Sequence, residues 1–234
     1  RTPEPRAMLT RTFLHLPGIS ETKERRLWSE GVIDWERAQE CALRDQIAAS
    51  ARALDAKDHR FFCNTLPTRE HWRAYGHFST CFLDIETTGL SQHHDITVVG
   101  IYDGTEPKIF IQGQNMEDIK EELARHQMIV TFNGSMFDLP FMKRHFPDLD
   151  LGHLHADLRW LLKRLGYTGG LKRIEKQLGI SRGDVEGIDG FEAVRLWHRW
   201  QKGDQAALDT LIEYNKADIV NLKTLMEFAY PRLA

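Results

Sequence analysis

The sequence predicts an α/β protein, a mixed β-sheet flanked by helices with a small helical segment in front. Three observations lead there. Up to about residue 75 the chain reads as short helices; the pattern then changes to strand candidates separated by turn residues; and from residue 136 onward helices dominate again. The change divides a helical segment, residues 1–66, from a main domain, residues 67–234. No fold is read into residues 1–7.

In the first segment Ser20 is placed to cap a helix from Glu21 to Glu30 that buries Leu27 and Trp28, and Gly31 to end it. Asp34 caps a second helix, with Trp35, Ala38, Ala42 and Leu43 at helical spacing. Two short helices around a Leu16-Pro17-Gly18-Ile19 turn resemble half of a helix-hairpin-helix, whose turn amides hold a phosphate; here Ser20 stands where such turns usually have a second glycine. Residues 45–66 continue as helix, and Pro67 starts a short one through His71, Trp72 and Tyr75. Strand candidates at residues 80–85, 96–102 and 108–111 then form an antiparallel meander. Residues 116–126 read as an amphipathic helix with Met116, Ile119, Leu123 and Ala124 on its apolar side, and 128–132 as a fourth strand. The remaining helices fall at residues 139–145, 157–165, 171–178, 191–201 and from 204 or 205 to about 230.

A chain of 234 residues with 41% hydrophobic and 28% charged residues can bury a full core and is ordinary for a globular protein. The net charge of −3 announces no global basic field, yet with four acids held by metal the remainder would be +1, so a local groove can still be positive. Cys41, Cys63 and Cys81 lack the paired spacing of a zinc site or a disulfide framework, which points to a reducing, cytoplasmic location. No apolar run approaches the roughly 20 residues of a membrane span.

The stretch from Cys81 to Leu90 carries the chemistry. Side chains alternate along a strand, so Asp84 and Glu86 share one face while Leu83 and Ile85 take the other. Two poorly hydrated acids side by side repel each other, and a divalent cation with oxygen preference relieves that repulsion. After the fourth strand comes Asn133-Gly134-Ser135-Met136-Phe137-Asp138, where Asp138 begins a helix and is placed to cap it. In the last helix the i, i+4 spacing stacks Tyr214 over Asp218, with Ile219, Leu222 and Leu225 left for the core. A mid-helix aspartate has little local reason to be there.

An Asp-x-Glu strand, an Asn-x-x-x-Phe-Asp turn and a Tyr-x-x-x-Asp helix, in that order, resemble the three exonuclease motifs of the DEDD superfamily, tyrosine branch, which has a ribonuclease H-like fold. The resemblance covers roughly residues 80–230 and extends to YprB-like predicted exonucleases, which also join a Leu-Pro-Gly segment to this domain; Tyr167-Thr168-Gly169-Gly170-Leu171-Lys172 adds to it. It implies a two-metal 3′-5′ exonuclease using Mg²⁺ or Mn²⁺ on a single-stranded 3′ end of DNA or RNA, with release of nucleoside 5′-monophosphates. Asp84 would bridge both ions, Glu86 and Asp218 would complete the site that activates water, Asp138 would hold the second ion, and Tyr214 would orient the water. Thr87, Thr88, Gly89 and Leu90 would contact the terminal nucleotide. Asn133 and Lys172 are further substrate-binding candidates, against the plainer readings of a turn cap and a solvated basic face with Arg173 and Lys176. Because Tyr214 takes the place that histidine holds in the sister branch, His93, His94, His153 and His155 are not needed as ligands. Two other readings stand beside this one: a catalytically inactive nucleic-acid-binding module, and a structure-selective endonuclease of the same fold. Oligomeric state is left open.

Overall fold

The computed structural model describes residues 8–91 and 93–233. The N-terminal segment opens with a 3-10 turn at Leu9–Arg11. Helix α1 follows at Glu21–Ser29, where the Ser20 side chain accepts from the Lys23 amide. Leu27 and Trp28 are only half-buried, and the residue of α1 that goes inside is Glu24, whose carboxylate accepts the Thr12 hydroxyl and the Phe13 amide, both at 2.7 Å. Helix α2 is a single turn, Trp35–Ala38, capped by Asp34; it stops short of Ala42 and Leu43. The helix expected over residues 45–66 is two helices, α3 at Arg44–Asp55 and α4 at His59–Thr65. Lys57 has φ +55° between them and Asp58 caps the second, so the chain reverses where composition alone reads as continuous helix. A 3-10 helix at Thr68–Ala74 leads into the sheet.

The sheet has five strands in the order β3-β2-β1-β4-β5. Strands β1 (Thr80–Thr87), β2 (Ile96–Tyr102) and β3 (Pro107–Ile111) form the expected antiparallel meander. A 3-10 turn at Met116–Asp118 and the short helix α5, Ile119–Leu123, cross to β4, Met128–Thr131, which pairs parallel with β1. Helix α6, Asp138–His145, leads to a strand that the sequence did not announce, β5 at Leu154–Asp157, parallel to β4. Its four residues alternate with a histidine and end on an acid, too short a pattern to read locally; its ladder comes entirely from β4. Then come α7 (Leu158–Arg164), α8 (Leu171–Leu178), α9 (Gly190–Trp200) and the 25-residue α10 (Gln205–Ala229). Gly179, at φ +69°, ends α8 in the left-handed conformation that favours glycine.

Alternation along β1 and β2 sorts the core into two layers. Cys81, Leu83, Ile85, Val99 and Ile101 face α5 and α6 with Leu123, Phe141 and Met142. On the other face, Phe82, Met128 and Val130 pack with Leu222, Leu225 and Met226 of α10 and with Phe13, Trp35 and Phe62 of the N-terminal segment. Val98 meets Trp197 of α9 and Leu208 and Leu211 of α10. Asp84 and Glu86, on the Phe82 side of β1, are thereby turned toward α10.

Candidate active site

Among the described residues, Asp84, Glu86 and Asp218 each offer a carboxylate oxygen within 4.8 Å of the others. The central strand supplies the first two and the middle of α10 the third. Glu86 and Asp218 are buried, and Asp84 keeps partial exposure. Asp138 stands beside this trio rather than in it. It is the first residue of α6, not its cap: the cap position is Phe137, and the Asp138 carboxylate turns to β1, accepting the Ile85 amide at 3.2 Å between the two strand acids.

Burial raises all four carboxyls, and their mutual repulsion adds to it. Glu86 goes to about 8, with Asp218 as the main repelling charge. Asp138 goes to about 7. Asp218 reaches only about 6, because Arg182 and Lys172 offset its burial. Asp84 is pushed well up by burial and by Asp218, Glu86 and Asp138. An all-oxygen donor set, enclosed and mutually repelling, fits a hard cation such as Mg²⁺ or Mn²⁺.

Each of these pKa values lies above that of an unfolded carboxyl, about 4, so the metal-free fold holds protons that the unfolded chain releases. This stabilisation is complete below about pH 4 and is lost as pH rises through about 6 to 8. His15 and His155, lowered by burial to about 4, act in the opposite sense but only below about pH 6.5. In chelator, the melting temperature is therefore expected to fall between about pH 6.5 and 8.5, and Glu86→Gln to flatten the fall. A parent profile that stays level or rises would contradict the site's electrostatics.

Tyr214 is buried one turn before Asp218. Burial and the charges of Asp218, Glu86 and Asp84 push its phenol far above the ordinary range, so it keeps its proton. Lys172 of α8 donates to the Tyr214 hydroxyl and lies 4.3 Å from the ring centre, with the Arg182 guanidinium at 5.2 Å. Lys172 therefore belongs to the centre itself and is not part of a solvated face. At the end of β1, Thr87 donates to the Gly89 carbonyl at 2.7 Å, and Thr88, just past it, accepts the Asp95 amide at 3.1 Å. Gly89 lies flush against the His94 ring, and Leu90 is 78% exposed. Asn133 adopts φ +66°; its amide donates to Asp157 at 2.7 Å and its side chain accepts from Arg159 at 2.6 Å. Asp157 caps α7 and also takes the Ser135 amide at 3.1 Å, tying the turn before Asp138 to the end of β5. His153 and His155 are turned to the Leu123 carbonyl and the Thr131 hydroxyl, away from any ligand role.

Three further residues complete the centre, and no sequence motif marked them. Arg182 is buried between two acids, 2.6 Å from Asp218 and 2.8 Å from Glu175. Glu175, itself 1% exposed, also accepts Asn221 of α10 at 2.9 Å. Asn215, wholly buried, donates to Asp84 at 3.0 Å. Space for Asn215 comes from Gly100, the cross-strand partner of Asp84: a Cβ there would stand 2.0 Å from the Asn215 Oδ1. Gly100→Ala is expected to cost about 1–3 kcal/mol in denaturant unfolding, and to weaken metal binding by displacing Asn215 from Asp84. An alanine variant as stable as its parent would remove that steric role.

The profile of the RNase H superfamily matches residues 81–230. Solved structures similar to the chain include the family B DNA polymerase from the hyperthermophilic archaeon Pyrobaculum calidifontis, at 17% identity and a TM-score of 0.52 over 64% of this chain and 24% of that one. Brucella melitensis NrnC with bound Mg²⁺ is also similar, at 22% identity and a TM-score of 0.43 over 66% of this chain and 74% of that one. A second NrnC structure gives 20% identity with the same TM-score and coverage. The chain thus spans about a quarter of the polymerase. No curated protein matches. The mixed sheet with helices on both faces is the ribonuclease H-like arrangement expected from the motifs, and no helix among the described residues is long and apolar enough to cross a membrane. With the profile covering well over half of its length, the chain belongs to the RNase H superfamily.

Proposed function

We propose that this protein is a divalent-metal-dependent 3′-5′ exonuclease of the DEDD type, tyrosine branch, with YprB-like affinity. It would hydrolyse single-stranded DNA or RNA from the 3′ end to nucleoside 5′-monophosphates. One observation carries the reading: Asp84 and Glu86 of the central strand and Asp218, far along the chain on α10, bring their oxygens within 4.8 Å of one another, close enough to Tyr214 for their charges to act on its phenol. These three, with Asp138 beside them, would hold two Mg²⁺ or Mn²⁺ ions. Bound there, the ions supply acidification of a water and neutralisation of charge on the scissile phosphate. The protonated Tyr214 orients the attacking water through a hydrogen bond and does not serve as its base. Lys172 fixes the phenol and brings positive charge toward the phosphate. Asn215 holds Asp84 in place, and Arg182 holds Asp218. Thr87, Thr88, Gly89 and Leu90 would cradle the terminal nucleotide, and Asn133 would hydrogen-bond sugar or phosphate. The helical segment of residues 1–66 would be an appendage to the nuclease domain of residues 67–234, and the protein a cytoplasmic one.

The test is hydrolysis of 5′-end-labelled DNA and RNA oligonucleotides in Mg²⁺, Mn²⁺ or chelator. A ladder shortening from the 3′ end, present with metal and absent with chelator, is the expected result. Cleavage of a circular single strand would favour an endonuclease, and binding without any cleavage a catalytically inactive module.

A further inference from the structure

A cleft of about 540 Å³ lies between the N-terminal segment and the end of β5. Its size is that of a ligand pocket. Trp28 of α1 and Trp160 of α7 line it together with Arg25, Arg69, Arg164 and Ser135. Two features are unusual for a seam between packed segments. Trp160, a large aromatic, is 44% exposed, with the Arg159 guanidinium 5.6 Å and the Lys163 ammonium 5.3 Å from its ring centre. The accessible charge is also one-sided. Of the lining, Arg25, Arg69 and Arg164 are exposed, with Arg159 and Lys163 just outside it beside Trp160, whereas Glu24, Glu70 and Asp157 are each under a tenth exposed and hydrogen-bonded or ion-paired inside, Glu70 with Arg73 and, at 3.9 Å, with Arg164. Only Glu21 offers a solvated carboxylate among the acids of the cleft, and it is shared by Arg25 and Arg69.

The cleft and the acid centre share a wall. Ser135 faces the cleft and accepts the Trp160 indole N–H at 3.4 Å, while Asp138, three residues on, reaches β1 between Asp84 and Glu86. Both sites lie outside the carboxyl ends of the parallel strands β1, β4 and β5, the usual binding edge of such a sheet. An aromatic platform ringed by cations is the chemistry that holds single-stranded nucleic acid, with bases stacking while the cations meet phosphates.

We propose that this cleft is a second subsite for single-stranded nucleic acid. A base stacks on Trp160 and the adjoining phosphates meet Arg25, Arg69 and Arg164, holding the strand behind the nucleotide at the acid centre. The proposal rests on the nuclease reading for its direction, and its test is separable from that reading. Binding of a fluorescent single strand of about a dozen nucleotides is followed by anisotropy in chelator, beside metal-dependent hydrolysis of a dinucleotide, the shortest substrate.

Trp160→Ala is expected to weaken binding of the longer strand roughly tenfold, and Trp160→Phe to restore most of it. Arg69→Glu with Arg164→Glu should make the salt dependence shallower by about 0.7 in log–log slope for each phosphate no longer neutralised. Dinucleotide hydrolysis should stay at the parent level in all three variants. The proposal is overturned if the parent fails to bind the longer strand, or if Trp160→Ala binds like the parent while charge reversal alone abolishes binding. It is also overturned if the variants lose dinucleotide hydrolysis in step with binding. Failure of the parent to cleave any substrate would sink the nuclease reading, and the anisotropy series would still decide the cleft.

Discussion

Asp84→Asn is expected to lower metal-dependent hydrolysis at least about a thousandfold, a loss of roughly 4 kcal/mol of transition-state stabilisation. Asp84 meets Glu86 and Asp218 with carboxylate oxygens within 4.8 Å of one another, and Asn215 donates to it at 3.0 Å. Asparagine keeps the shape and can still accept from Asn215, so the fold survives while one anionic ligand disappears. The same change removes a repelling charge from a poorly hydrated cluster. In chelator at about pH 8 the variant should therefore melt above its parent, so activity and stability move in opposite directions. Hydrolysis within tenfold of the parent, on protein whose calorimetric Mn²⁺ binding is intact, would remove the acid cluster from the chemistry.

The second large effect is on stability. Arg182→Gln strips the guanidinium from between Glu175 and Asp218 and leaves two buried carboxylates facing each other. Breaking such a pair costs about 3–5 kcal/mol, which for a chain of this size lowers the melting temperature by roughly 10 °C. Burial works against the charge of Arg182, yet Asp218 and Glu175 hold its pKa above the ordinary arginine value, so the group is a fixed cation. Adding Glu175→Gln should recover much of the loss, because the amide no longer needs a counter-charge and Asn221 can still bond it. A cost below about 1 kcal/mol for the single change would mean that water enters and replaces the arginine.

The four acids and Tyr214 stand out in the sequence because each is locally out of place, and three of them, Asp84, Glu86 and Asp218, do meet in space. A strand with two acids on one face, a turn ending in Phe-Asp and an aspartate amid helical core positions all conflict with their surroundings, and their order is distinctive. Arg182, Glu175, Asn215 and Asn221 carry no such mark. Their partners lie far away in sequence, Asn215 answering to Asp84 across 131 residues, and a polar residue on a helix reads as solvated until its neighbours are known. One hint was present for Glu175: it follows Ile174, which is wholly buried, on a helix whose apolar positions Leu171 and Leu178 bracket it. The strand β5 was hidden for a related reason, since a four-residue segment owes its form to β4 rather than to its own composition. Gly100 carries no mark of its own in the sequence; only the position of the Asn215 side chain reveals why nothing larger fits.

Helix α10 runs without interruption from the core it shares with α9, past Tyr214, Asn215 and Asp218, to Met226 and Ala229, which belong to the same apolar cluster as Phe13, Trp35 and Phe62. At 1.5 Å per residue it is a beam of about 37 Å, held just past its end where Tyr230 packs edge-on against Trp72 and Tyr75. Cutting away residues 1–66 would strip Phe13, Trp35 and Phe62 from the apolar cluster that receives this end, and any tilt of the beam would carry Asp218 off the strand acids it must meet. Amputation would then blunt cleavage even of the shortest substrate, which makes point changes on the cleft surface the cleaner probe of what the segment grips.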